Sequence, residues 1–169
     1  GTSSLLSSVI TGTSPFAAAF NGVNTSLGQQ LHMVARLVNA QGQLNLKRQI
    51  FFVRIGGFDL HDNQVVLGNT ANGAHSNILR DISRSLAAFN QAMNQISAQN
   101  QVTVFTASDF GRTFNTNGDG SDHGWGSHHL VLGGAVRGGA MYGQMPVQVL
   151  GGAGTGKTVR VDDLSLSAS

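Results

Sequence analysis

Four side chains in three short segments of this chain could hold a metal ion. Asp59 and His61 are two residues apart in GGFDLHDNQ (56–64), Asp109 follows a β-branched run in VTVFTASDFGRT (102–113), and His123 lies in GDGSDHGWGSHH (118–129). Two carboxylates and two imidazoles form the donor mix that zinc, manganese and similar divalent ions accept. Taken singly each residue has a plainer explanation, since an Asp after a strand commonly caps a turn. Asp122 is expected to support His123 from behind as a hydrogen-bond acceptor. Arg112 either stabilises an anionic substrate oxygen or pairs with Asp109 or Asp122, because guanidinium serves carboxylate and phosphate with the same two-pronged geometry.

Composition makes these acids stand out. The chain of 169 residues carries a formal charge of +2, with eight acidic residues against ten Lys and Arg. All the acids are Asp, and Asp59, Asp62, Asp109, Asp119 and Asp122 lie in the segments above. The basic residues are scattered, without the clustering that a nucleic-acid surface needs. The absence of Cys excludes disulfides and thiolate metal sites and fits any compartment. No apolar run reaches the length of a membrane span.

The elements that must position the candidates are read from periodicity. Leu27, Leu31, Val34, Ala35 and Val38 predict an amphipathic helix behind caps at Asn24 or Ser26, ending at Gly42. His32, inside it, reads as a boundary residue of the core and not as a ligand. QIFFVRI (49–55) has the composition of an interior strand, about His75 to Ala98 reads as a long helix, and a second strand follows from Val102. Strand, helix and strand predict a βαβ unit with parallel strands, whose common carboxyl edge would gather Asp59, His61 and Asp109, with His123 brought in by the loop that crosses it. The expected fold is therefore α/β, a mostly parallel central sheet flanked by helices. One domain covers residues 1–169, and residues 147–169 form a tail without an assigned element. Residues 1–23 receive no assignment.

Two motifs read as decoys. Asn115-x-Asn117-x-Asp119-Gly120 imitates the first half of a calcium-binding loop but has Gly126 where the bidentate glutamate belongs, so it reads as a flexible turn. Residues 151–158 match the phosphate-binding pattern G-x-x-x-x-G-K-[ST], ending on Lys157 and Thr158, yet an alternating, β-like stretch follows where a helix should.

GGFDLHDNQ, TASDFGRT and GDGSDHGWGSHHLVLGGAVRGG resemble, in order and spacing, the signature segments of the bacterial DUF1501 family, a likeness that covers about residues 25–146. The resemblance implies an alkaline-phosphatase-like α/β fold, incomplete in this chain, with Asp59, His61, Asp109 and His123 as metal ligands and Phe110 standing where a further His would be. It implies a C-terminal portion of a metal-dependent hydrolase of phosphate or sulfate esters, periplasmic or secreted, with a small anionic ester as substrate and a nucleophile supplied from upstream. The alternative is a non-catalytic secreted binding or assembly module with a degenerate phosphatase-like site, which Phe110 motivates.

Overall fold

A computed structural model describes residues 2–124 and 128–144. The elements are α1 (Thr2–Thr11), a 3-10 turn (Ala17–Phe20), α2 (Ser26–Asn39), α3 (Ala74–Gln95), β1 (Val104–Phe105), β2 (Gly111–Thr116), β3 (Ser121–Gly124) and β4 (Val131–Leu132). The described residues fall into two compact units, one formed by residues 2–57, 78–103 and 133–135, the other by 58–77, 104–124, 128–132 and 136–144.

The first unit is helical. Thr25 caps α2, its hydroxyl accepting from Gly28 N–H at 3.1 Å, and the apolar stripe Leu27, Leu31, Val34, Ala35 and Val38 is buried as the spacing predicts. The buried face of α3 is made of Ser85, Ala88, Phe89, Ala92 and Met93. Small residues thus share it with two large ones, while Ile78, Ile82 and Leu86 are only half-buried. Ser85 is satisfied within its own helix by Asp81 at 2.9 Å. The N-terminal residues form α1, a helix that Ser and Thr disguise in the sequence. Arg36 of α2 donates to the carbonyls of Val9 and Gly12 at its C-terminal end, where a cation is favoured.

The parallel α/β sheet does not form. Among the described residues the only sheets are two antiparallel pairs, β1 with β4 and β2 with β3. Residues 49–55 alternate exposed and half-buried side chains, with Ile50 fully exposed and Phe52 91% exposed. The segment has no strand partner there; the Gln30 carboxamide, donating to Arg54 O and accepting from Arg54 N–H at 2.9 Å each, occupies the place a neighbouring strand would take at that residue. The second expected strand shrinks to β1, and its partner β4 runs antiparallel to it. A βαβ unit needs two strands that share a sheet, and strand-like composition alone does not supply the pairing. Residues 147–169, with the phosphate-loop-like stretch and Lys157, lie outside the described residues, as does Gly126.

His32 is packed in the first unit. Its ring stacks on Phe20 at 4.6 Å, meets Phe16 edge-on at 5.8 Å and places Nε2 3.0 Å from the Ser14 hydroxyl. Burial first, and then the Arg36 charge, lower its pKa below 6.5. The unfolded chain therefore takes up this proton before the folded one, so the stability linked to it is complete above pH 6.5 and is lost as the pH falls below that value. Thermal melts followed by circular dichroism should show a melting temperature that drops as the pH falls below 6.5. His32→Gln should remove part of that drop, and an unchanged pH profile would show that the imidazole does not titrate with unfolding.

Candidate metal centre

The site lies within the second unit and starts from a hairpin. Strands β2 and β3 pair with Arg112 opposite His123 and Gly111 opposite Gly124, so the side chains of Arg112 and His123 leave the same face. Gly124 is required by this closeness, since a Cβ there would meet Thr113 N at 2.6 Å and Arg112 C at 2.7 Å. From that face Arg112 reaches the segment that carries Asp59 and His61. Its guanidinium donates to the carbonyls of Phe58, Leu60 (2.7 Å) and Ser121, binding the segment to the hairpin on both sides of Asp59. A γ-turn, Leu60 N–H to Phe58 O at 2.9 Å, folds the chain at Asp59 itself.

The hairpin turn fixes the other end of the segment. Asn117 Nδ2 donates to His61 O at 2.6 Å, Asp119 accepts from Asn63 N–H through its carboxylate at 2.9 Å and from Val65 N–H through its carbonyl at 3.0 Å, and Ser121 donates to Gln64 Oε1 at 2.8 Å. Asn117 also accepts from Gly120 N–H at 2.9 Å, which closes the turn. The stretch read from sequence as flexible is thus a dock for the segment that carries Asp59 and His61. Gly120 packs so closely beneath it that a Cβ would meet His61 C at 2.6 Å and Asp62 N at 2.9 Å.

Three side chains then converge. Asp59 Oδ1 lies 2.7 Å from His123 Nε2 and 3.1 Å from His61 Nε2, and one donor atom from each of the three lies within 4.8 Å of the others. Ligands of a tetrahedral zinc ion sit about 2.0–2.2 Å from the metal and hence about 3.4 Å from one another, so movements on the order of an ångström would bring all three onto one ion. His61 Nδ1 faces Asp122 Oδ1 at 3.2 Å. The imidazoles of His61 and His123 stack at 5.0 Å, and Phe110 stacks on His123 at 4.0 Å and 10°. The Arg112 guanidinium carbon is 5.5 Å from the centre of the Phe110 ring.

Proton counting tests whether a cation fits. The contacts of Asp59 and Asp122 with the two rings need three N–H donors, whereas two neutral imidazoles supply two. Either one ring is a cation, or a bound cation replaces the protons between Asp59 Oδ1 and the two Nε2 atoms, with His61 Nδ1–H still donating to Asp122. The donor set is suited to the second arrangement. The Asp59 carboxyl is held below the ordinary carboxylate range, by the His123 hydrogen bond first and against a smaller opposing effect of desolvation, with the His61 and His123 charges adding to it. It is therefore ionised and available as a ligand at neutral pH.

Of the residues singled out in the sequence, Asp59, His61 and His123 meet and Asp109 does not. Asp109 is exposed and outside the cluster; it sits in a bend ahead of β2, which the Ser108 hydroxyl closes by donating to Phe110 O at 2.7 Å. Asp122 supports His61, not His123. His129 lies against Thr106, with Nδ1 3.3 Å from its hydroxyl. Phe110, which reads in the sequence as a lost ligand, is the surface on which His123 rests. Sequence reasoning missed the positioning roles of Asn117, Asp119 and Gly120, whose signal was a calcium-loop-like pattern that pointed to a different chemistry.

A family model described as "Protein of unknown function (DUF1501)" matches residues 17–168. The chain belongs to the DUF1501 family. The match spans all of the residues that build the site, and the DUF1501 chain carries no helix, among its described residues, long and apolar enough to cross a membrane. No curated protein and no solved structure matches it.

The dock and the cluster can be separated by mutation. Gly120→Ala should cost about 1–3 kcal/mol, the usual penalty of forcing an extra methyl into a packed place, and should shift the His61 imidazole resonances. Urea titration monitored by those resonances checks both, and a neutral effect would mean that the turn does not hold the segment.

Proposed function

We propose that Asp59, His61 and His123 form a divalent-metal centre, with zinc or manganese the ions best suited to one carboxylate and two imidazoles, and that the centre serves hydrolysis of phosphate or sulfate esters. The convergence of Asp59 Oδ1 and the two Nε2 atoms supports the metal. The ester is what the likeness of the three signature segments implies for the chemistry, without the parallel sheet that it implies for the fold. An ion held by three protein ligands keeps a position open for substrate and would polarise an ester oxygen. The side chains are open to solvent, at 66% for Asp59, 54% for His61 and 44% for His123, so a small anionic ester has access. Arg112 spends its guanidinium on three main-chain carbonyls. It orients the ligands, and the role of anion stabiliser that its sequence position suggests is secondary in this arrangement.

The same exposure favours a second reading, in which the metal joins this surface to a partner and no chemistry follows. A phosphate- and sulfate-ester screen with and without added zinc or manganese separates the two. Metal-dependent turnover that Asp59→Ala abolishes and Asp109→Ala preserves is the expected result. Stoichiometric metal binding without turnover of any ester would favour the binding surface, and absence of metal binding under non-chelating conditions would remove both readings. Because ligating nitrogens must be free of protons, metal affinity should decline on acidification.

A further inference from the structure

Resting on the metal reading above, we propose that Asp122 is a positioning residue that selects Nε2 of His61 as its ligating nitrogen and strengthens the metal site through that ring. An imidazole can offer either nitrogen to a metal, and the one it offers is set by the hydrogen bond that the other makes. Asp122 Oδ1 faces Nδ1 of His61 at 3.2 Å, while Nε2 of the same ring faces Asp59 Oδ1 at 3.1 Å. With the Nδ1 proton donated to Asp122, the Nε2 lone pair is left directed at the point where Asp59 and His123 also converge. Asp122 lies outside the cluster of Asp59, His61 and His123, so its contact with the site runs through the His61 ring.

The fold fixes both members of this pair from the main chain. Asp122 is part of β3, paired to β2, and its carbonyl accepts from the Thr113 hydroxyl at 3.4 Å. The His61 carbonyl is held by Asn117 at 2.6 Å. Two exposed side chains would not keep such a contact by their own attraction, since surface ion pairs contribute little; their anchoring makes it persistent. A carboxylate behind a ligating imidazole also raises the basicity of the ring, and loss of such a partner commonly weakens metal affinity by about 10–100-fold.

The test combines two measurements on the whole chain. Long-range proton–nitrogen NMR of the zinc-loaded protein should show His61 with its proton on Nδ1 and Nε2 as the ligating nitrogen, and Asp122→Ala should abolish that preference. Zinc titration should show affinity falling by about 10–100-fold in Asp122→Ala, with Asp122→Asn, which keeps an acceptor oxygen, recovering part of the loss. Asp109→Ala, which removes an equal charge from the same unit, should bind zinc like the parent chain. The proposal is overturned if Asp122→Ala leaves tautomer and affinity unchanged, or if Asp109→Ala weakens binding as much, which would reduce the effect to net charge. A parent chain that binds no zinc overturns the metal reading on which the proposal rests, a failure distinct from a zinc-binding parent that Asp122→Ala leaves unchanged.

Discussion

Arg112 is the constraint on which the second unit depends. A guanidinium has more donors than any other side chain and holds them in one plane, so a single residue can bind carbonyls from two segments at once. Here it joins Phe58 and Leu60 of one segment to Ser121 of the hairpin. The consequence is geometric. Asp59 sits between two tethered carbonyls, and its carboxylate is delivered to the face from which His123 rises opposite Arg112. The same charge contributes, after burial, to lowering the pKa of His75, whose ring meets Phe58 edge-on at 5.9 Å.

Around that clamp the site divides into groups that hold and groups that could bind. Asn117, Asp119 and Gly120 hold the segment by its main chain, and Phe110 holds the His123 ring by stacking. Asp59, His61 and His123 are left with ring nitrogens and a carboxylate oxygen turned toward one another in solvent. Exposed carboxylate–imidazole contacts are individually weak, so their arrangement reflects the backbone that carries them. A divalent ion would find ligands already gathered and little ordering left to impose.

The legible parts of the sequence were those with a strong period. The stripe Leu27 to Val38 gave α2 to within a residue or two, and α3 followed from the same signal. Residues 49–55, expected as a strand, mark the limit of a periodicity signal. Their apolar run describes a segment suited to burial in a sheet, but pairing is a property of two segments, and the chain offers a Gln30 carboxamide in place of the neighbour. The candidate ligands were found by type and spacing, and three of the four meet, through an antiparallel hairpin and an arginine clamp and not through a shared parallel edge. Asp109 lies in a bend ahead of β2 and outside the cluster, and residue type and spacing carry no signal for that bend. α1 was missed because its Ser and Thr residues have poor helix propensity.

The most direct test of the account is X-ray absorption at the zinc edge on the loaded chain, repeated for His61→Ala and His123→Ala. The account predicts one zinc per chain whose first shell includes two imidazoles and a carboxylate oxygen at about 2.0–2.2 Å, with one imidazole lost in each variant. A zinc shell of oxygen alone, or one unchanged by either substitution, would contradict it.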